Sequence, residues 1–208
     1  MMVSALIERE LTSAAFPLRG GVFIAVVGPS GAGKDTIIDY ARERLDDDSG
    51  VEFVRRVITR PSDAGSEDHD TLADAAFDEA EKHGAFALSW PAHGLKYGLP
   101  ASVDRTIADG RVAIANLSRG ALAALRQRYA NVAVVEITAR HDILAERLSA
   151  RGRESRGEVL ARLARTAPVD RSADVITIDN SGARDEAGER FLEIVRKAIA
   201  HADLDGSV

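Results

Sequence analysis

The chain has 208 residues, carries 27 Lys+Arg against 33 Asp+Glu for a formal net charge of −6, and contains no cysteine. The acid excess excludes a general nucleic-acid binder, whose footprint would be basic, and the missing thiols exclude disulfides, thiolate zinc sites and cysteine nucleophiles. A hydrophobic share of 45% and a charged share of 29% are those of an ordinary globular protein, and the length suits a single domain over residues 1–208 with one sizeable core. Residues 1–19 interrupt their apolar stretches with Glu8, Arg9 and Glu10. That pattern is neither a secretory h-region nor a spanning segment, so a cytoplasmic domain without a membrane partner is expected, with residues 1–19 either an ordered part of it or a flexible extension. Val22–Val27 is a continuous apolar run of strand length, as in a strand buried on both faces. Residues 34–45 follow with helical spacing at Ile37, Ile38, Ala41 and Leu45. Further strands are expected at 53–58, 112–115, 132–137 and 175–178, with a weak helix at 72–83 and helices at 118–129, 141–150, 158–166 and 183–200. Such alternation predicts a three-layer α/β/α architecture around a central parallel sheet.

Two stretches break the rhythm. Residues 61–100 are loop-like to Asp70 and then aromatic and glycine-punctuated from Phe86 to Gly98, which suggests an insertion facing a substrate. Residues 147–165 crowd Arg147, Arg151, Arg153, Arg156, Arg162 and Arg165 into an acidic chain. Solvated ion pairs with Glu154 and Glu158 on a helix face are the plainer explanation of some of these arginines.

Between the first strand and the first helix lies Gly28-Pro29-Ser30-Gly31-Ala32-Gly33-Lys34-Asp35-Thr36. It matches the G-x4-G-K phosphate-binding loop in its required strand-to-helix setting. The glycines let successive N–H groups face a phosphate, the helix N-terminus adds partial positive charge, and Lys34 can reach β- and γ-phosphates. ATP is the expected cosubstrate, with Mg²⁺. Asp35 stands where a Ser or Thr hydroxyl normally meets Mg²⁺; Asp35 or Thr36 would hold the metal, through water if at all, or Asp35 merely favours the helix N-terminus. No apolar strand ends in an obvious Walker B aspartate, since 112–115 is followed by Asn116 and 132–137 carries Glu136 inside it. That disfavours motor and switch NTPases and leaves small-molecule kinases. On the acceptor side, a period of two sets Arg56 and Arg60 on one strand face and Arg55 on the other, a pair suited to bidentate phosphate contacts.

These motifs resemble the guanylate kinase branch of the nucleoside-monophosphate kinases, through Gly28–Thr36, Thr59-Arg60-Pro61 and Leu148-Ser149-Ala150-Arg151-Gly152-Arg153-Glu154, over nearly the whole chain. The chain departs from that branch where guanine would be recognised. Asp63 stands where a second arginine is usual, Asn116 where an acid closes the central strand, and no acid follows Gly84-Ala85-Phe86. Without such acceptors, guanine discrimination should be lost. Instead, Arg55–Pro61, Glu67-Asp68-His69 and the segment from Phe86 through Trp90, His93 and Tyr97 to Gly98 are similar to the ribose 1,5-bisphosphate phosphokinases of phosphonate catabolism.

That resemblance implies transfer of the ATP γ-phosphoryl to the 1-phosphate of ribose 1,5-bisphosphate, giving 5-phospho-ribose 1-diphosphate (PRPP) and ADP. It implies acceptor contacts from Arg56, Arg60, His69, Trp90, His93, Tyr97 and Asn116, catalytic roles for Lys34 and for Arg151 and Arg153 in a lid, and an adenine contact from Asn180. A small satellite core is the competing explanation of Trp90, His93 and Tyr97. The other functions weighed are a guanylate kinase acting on GMP, a gluconate- or shikimate-type kinase lacking the insertion motifs, and a protein-binding module, which the intact Gly28, Gly33 and Lys34 disfavour. The expected partner is a small phosphorylated molecule, and a homodimer is among the states the sequence allows.

Overall fold

The computed structural model describes residues 17–45, 50–60, 69–149 and 175–205. Strands β1 (Val22–Val27), β2 (Val51–Phe53), β7 (Val112–Asn116), β8 (Val132–Thr138) and β9 (Val175–Asp179) form a five-stranded parallel sheet in the order β2-β7-β1-β8-β9. The central position of β1 follows from its side chains, all six of which are buried. Val22, Ile24 and Val26 join Ile37, Leu144, Phe191 and Val195 on one face; Phe23, Ala25 and Val27 join Val103, Ile107, Leu125 and Tyr129 on the other. Helices α1 (Lys34–Arg42), α5 (His141–Ser149) and α6 (Arg184–Asp205) thus cover the first face, and α3 (Ser102–Ala108) and α4 (Leu122–Arg128) the second. This is the expected three-layer α/β/α arrangement. Among the described residues no helix is long and apolar enough to cross a membrane.

The strand expected at 53–58 is two strands in two sheets. Val54 still follows β7, its N–H donating to the Ile114 carbonyl at 2.9 Å. After the exposed Arg55 the chain enters β3 (Arg56–Ile58), which belongs to a four-stranded sheet of order β4-β3-β6-β5 with β4 (His69–Thr71), β5 (Phe86–Ala92) and β6 (Leu95–Pro100). A run of β-forming residues reports extended backbone but not a change of partner. The insertion sheet accordingly starts at Arg56, ahead of the expected boundary at 61. Helix α2 (Asp74–Lys82) covers it through Phe77, whose ring stacks on Phe86 at 4.5 Å. Helix α3 was not anticipated from the sequence, and α6 runs five residues past the expected end at 200. The helix expected at 158–166 and most of the N-terminal extension lie outside the described residues.

Strands β5 and β6 form a hairpin whose turn, His93-Gly94, has positive φ at both residues, 53° and 74°, the requirement of a primed two-residue turn. Trp90 and Tyr97 face each other across the hairpin with ring centroids 5.6 Å apart, and Trp90 Nε1 donates to Ser118 Oγ at 3.0 Å. That bond ties the insertion to the loop after β7. The hairpin therefore stands over the C-terminal edge of the parallel sheet, where open α/β sheets bind ligands.

Candidate active site

The phosphate loop leaves β1 at Gly28 and enters α1 at Gly33. A Cβ on Gly28 would stand 2.2 Å from the Ile137 carbonyl oxygen of β8, and one on Gly33 would stand 2.5 Å from Asn180 Nδ2. Only glycine fits these two approaches, and both have positive φ, 148° and 87°. Lys34 Nζ donates to the Gly28 and Pro29 carbonyls, each at 3.2 Å, which holds the ammonium over the loop.

Beneath the loop, Asn180 is only 5% exposed. Its Nδ2 donates to the Ala32 carbonyl at 2.7 Å, its N–H to the Thr138 carbonyl at 2.8 Å, and its own carbonyl accepts from Arg147 Nη2 at 3.0 Å. The side-chain amide thus rests on the loop backbone. Arg147 Nη1 is buried in the same neighbourhood, with no hydrogen-bond partner among the described residues.

At the first turn of α1, Asp35 Oδ1 accepts from Asn116 Nδ2 at 2.8 Å. Asn116 is buried at the end of β7, whereas Thr36 faces solvent. Among the described residues no cluster of three or more His, Asp or Glu is arranged to hold a metal ion unaided. Mg²⁺ in phosphoryl-transfer sites is commonly held by one or two carboxylates together with substrate phosphates and water, and the Asp35 carboxylate is a hard oxygen donor that fits this requirement.

Beside the loop opens a cavity of about 660 Å³ lined by Gly28, Pro29 and Ser30, by Lys34, by Arg56, Arg60 and Tyr97, by the hairpin tip at Ala92, His93 and Leu95, and by residues 116–120. Among the described residues no Asp or Glu lines it. Arg60 lies two residues past the end of β3, yet it reaches the same cavity as Arg56. Its Nε and Nη2 are buried without a hydrogen-bond partner among the described residues, a costly condition that an anionic ligand would relieve. Arg56 is 5% exposed, with its guanidinium 5.7 Å from the Tyr97 ring centroid, a contact within cation–π range.

The cavity thus gathers Lys34, Arg56, Arg60, His93, Tyr97 and Asn116 of the sequence-predicted set. Trp90 is buried behind its wall, stacked on Tyr97, and His69 is buried on β4 in register with Arg56. Ser30 lines the cavity, while Gly31 and Ala32 are buried in the loop. Arg151 and Arg153, like Arg156, Arg162, Arg165, Asp63, Glu67 and Asp68, lie outside the described residues. Arg119, absent from the sequence-based set, lines the cavity. The available signal was its position three residues beyond Asn116, at the C-terminal edge of a parallel strand.

No protein-family model matches the chain. It is 52% identical to the ribose 1,5-bisphosphate phosphokinase PhnN of Chelativorans sp., over 98% of both chains. It is 54% identical to the protein of the same name in Brucella melitensis, over 86% of this chain and 96% of that one. Among solved structures, the guanylate kinase from Anaplasma phagocytophilum matches with a TM-score of 0.62 at 17% identity, over 86% of each chain, a likeness of fold.

Proposed function

The chain belongs to the ribose 1,5-bisphosphate phosphokinase family, and from that premise we propose that it transfers the γ-phosphoryl of ATP to the 1-phosphate of ribose 1,5-bisphosphate, giving PRPP and ADP. The observation that carries the acceptor assignment is the cavity beside the phosphate loop, which joins Lys34, Arg56, Arg60 and Arg119 in one lining and, among the described residues, has no carboxylate in it. A bisphosphorylated sugar without a base needs cations and no acidic hydrogen-bond acceptors. Guanine in GMP needs acceptors for its N–H groups, and the lining supports the sugar bisphosphate over GMP.

In this reading the attacking atom is an oxygen of the acceptor 1-phosphate, already anionic, so no general base is required. Its bond to the γ-phosphorus forms as the bond from that phosphorus to the β,γ-bridging oxygen breaks, and ADP leaves. Catalysis then rests on positioning and on stabilising charge at the transferring group. Lys34 would exchange its contacts with the Gly28 and Pro29 carbonyls for oxygens of the β- and γ-phosphates. Arg56 and Arg60 would hold the acceptor phosphates, with Tyr97 bracing Arg56. Asp35 would hold Mg²⁺ with the phosphates, and Mg²⁺ when bound neutralises charge on the β- and γ-oxygens. Arg151 and Arg153 are proposed to close over the triphosphate as a lid, and a kinase of this kind would act in the cytoplasm.

The test is to incubate the purified protein with MgATP and ribose 1,5-bisphosphate, GMP or no acceptor, and to follow ADP and PRPP. PRPP formed only with the bisphosphate is the expected outcome. ADP release only with GMP would overturn the acceptor assignment.

A further inference from the structure

We infer that Arg119, aimed by Glu136, binds a phosphate of the acceptor from the core side of the cavity. The inference rests on the reading of that cavity as the site of a phosphorylated acceptor. Arg119 opens a short 3₁₀ turn, Arg119–Ala121, just beyond the end of β7, and lines the cavity together with Gly28, Pro29 and Lys34. Its Nη2 donates to Glu136 Oε1 at 2.9 Å. Glu136 lies on β8 in register with Val27, the residue before Gly28. The Arg119 side chain therefore reaches from the loop after β7 towards β8, across the end of β1 and beside the first residues of the phosphate loop.

The side chains of Arg119 and Glu136 are 28% and 13% exposed, so this is not a solvated surface pair. A half-buried ion pair is weak evidence of stability gained, because desolvating both charges offsets their attraction. It does restrain where the guanidinium lies. Guanidinium carries five N–H donors in a rigid fork that suits phosphate oxygens, and Glu136 Oε1 engages the group at Nη2, with the residue still lining the cavity. Arg56 and Arg60 approach the same cavity from β3 and the segment after it. Arg119 instead belongs to the core, so an acceptor phosphate would be held between two structural units. Glu136 is a positioning residue in this arrangement, since it acts through Arg119.

The test uses the full chain with MgATP and ribose 1,5-bisphosphate, comparing wild type with R119Q, R119K and E136Q. R119Q is expected to raise the acceptor KM by about ten-fold or more, the effect of one lost charge-assisted contact, with the ATP KM held within about two-fold. R119K should recover part of that loss, and E136Q should shift the acceptor KM in the same direction by less. A purely structural role would lower Tm and disturb both KM values without rescue by lysine. An acceptor KM unmoved in R119Q, or an ATP KM that rises as much, would overturn the inference. If R119Q does not fold, R119K and E136Q decide in the same way: unmoved acceptor KM in both overturns it. If the wild type forms no PRPP, the acceptor assignment has failed, and Arg119 is tested by titrating inorganic phosphate into wild type and R119K with saturating ADP. Weaker phosphate binding in the variant supports the inference, and equal binding overturns it.

Discussion

Asn180 offers a quantitative test of how the phosphate loop is held. Asn180→Ala removes the 2.7 Å bond from Nδ2 to the Ala32 carbonyl at a position 5% exposed, and leaves that carbonyl without its side-chain donor. The lost hydrogen bond is worth about 1 kcal/mol and the abandoned buried acceptor about 1–2 kcal/mol more, so the folded state should lose about 2–3 kcal/mol. For a chain of this length that lowers Tm by about 4–12 °C. The neighbouring Gly33 and Lys34 N–H groups belong to the segment that cradles phosphates, so ATP should bind less well while the acceptor KM stays put. Asn180→Asp should be worse for ATP, because a carboxylate cannot donate to the Ala32 carbonyl and adds negative charge beside a triphosphate. The assay is coupled ADP release with ATP varied at saturating acceptor and then the converse, alongside thermal melts of both variants. An unchanged Tm together with altered discrimination between ATP and GTP would refute this account and return Asn180 to the adenine contact implied by the family resemblance.

Lys34→Ala should lower turnover by about 10²–10³-fold while leaving Tm nearly unchanged, the scale expected for losing one group that stabilises transition-state charge; near-normal turnover would remove its assigned role. Trp90→Phe keeps a ring against Tyr97 but loses the bond to Ser118 Oγ, so Tm should fall by about 2–4 °C for about 1 kcal/mol, with a raised acceptor KM as the hairpin loosens from the core. No change in either quantity would mean that this bond does not tie the insertion down. Burial, and then the Asp104 carboxylate that accepts its hydroxyl at 2.8 Å, push the Tyr129 pKa well above its ordinary value. The folded state therefore keeps a proton that the unfolded state releases near pH 10. The contribution of Tyr129 is complete below that pH and is lost as pH rises further towards its folded pKa, at up to about 1.4 kcal/mol per pH unit. Urea titrations between pH 8 and 11 should show a steeper alkaline loss in wild type than in Tyr129→Phe, which retains the stack on Phe23; equal slopes would contradict the shift.

Most of the parallel sheet was legible because β1, β7, β8 and β9 are apolar runs each followed by a helical period, and β1 carries its buried character in six consecutive apolar residues. The phosphate loop was legible for a related reason. Its glycines are required by backbone approaches, to Ile137 and to Asn180, that no other residue permits. What the sequence concealed depends on partners distant along the chain. The division of residues 53–58 between two sheets turns on which neighbour each half pairs with, and nothing local to Val54 and Arg55 records that. Asn180, 148 positions from Ala32, meets the loop only through the β8–β9 register. Arg119 falls in the helix expected at 118–129, and its place at the cavity wall rests on a contact with Glu136, 17 positions on. Residues read for their aromatic character divided by depth rather than by face, since Trp90 and Tyr97 are cross-strand partners with stacked rings. Tyr97 and His93 line the cavity while Trp90 packs behind it.

The distribution of negative charge accounts for the choice of acceptor in the same terms. Asp35 is held by an amide at the end of β7, the position where the resembled guanylate kinases usually carry an acid. With a carboxylate already at 35, a second one at 116 would stand at hydrogen-bond distance from it, 2.8 Å in the present pair, and both could not stay ionised. The amide at 116 removes that conflict and donates to Asp35 as well. Its effect reaches the acceptor, because Asn116 borders both the large cavity and the small one that contains Asp35 and Arg56. With the carboxylate at the helix start rather than the strand end, the cavity wall presents Arg56, Arg60 and Arg119 and, among the described residues, no acid, which in the proposed reading lets an acceptor with two phosphates meet cations.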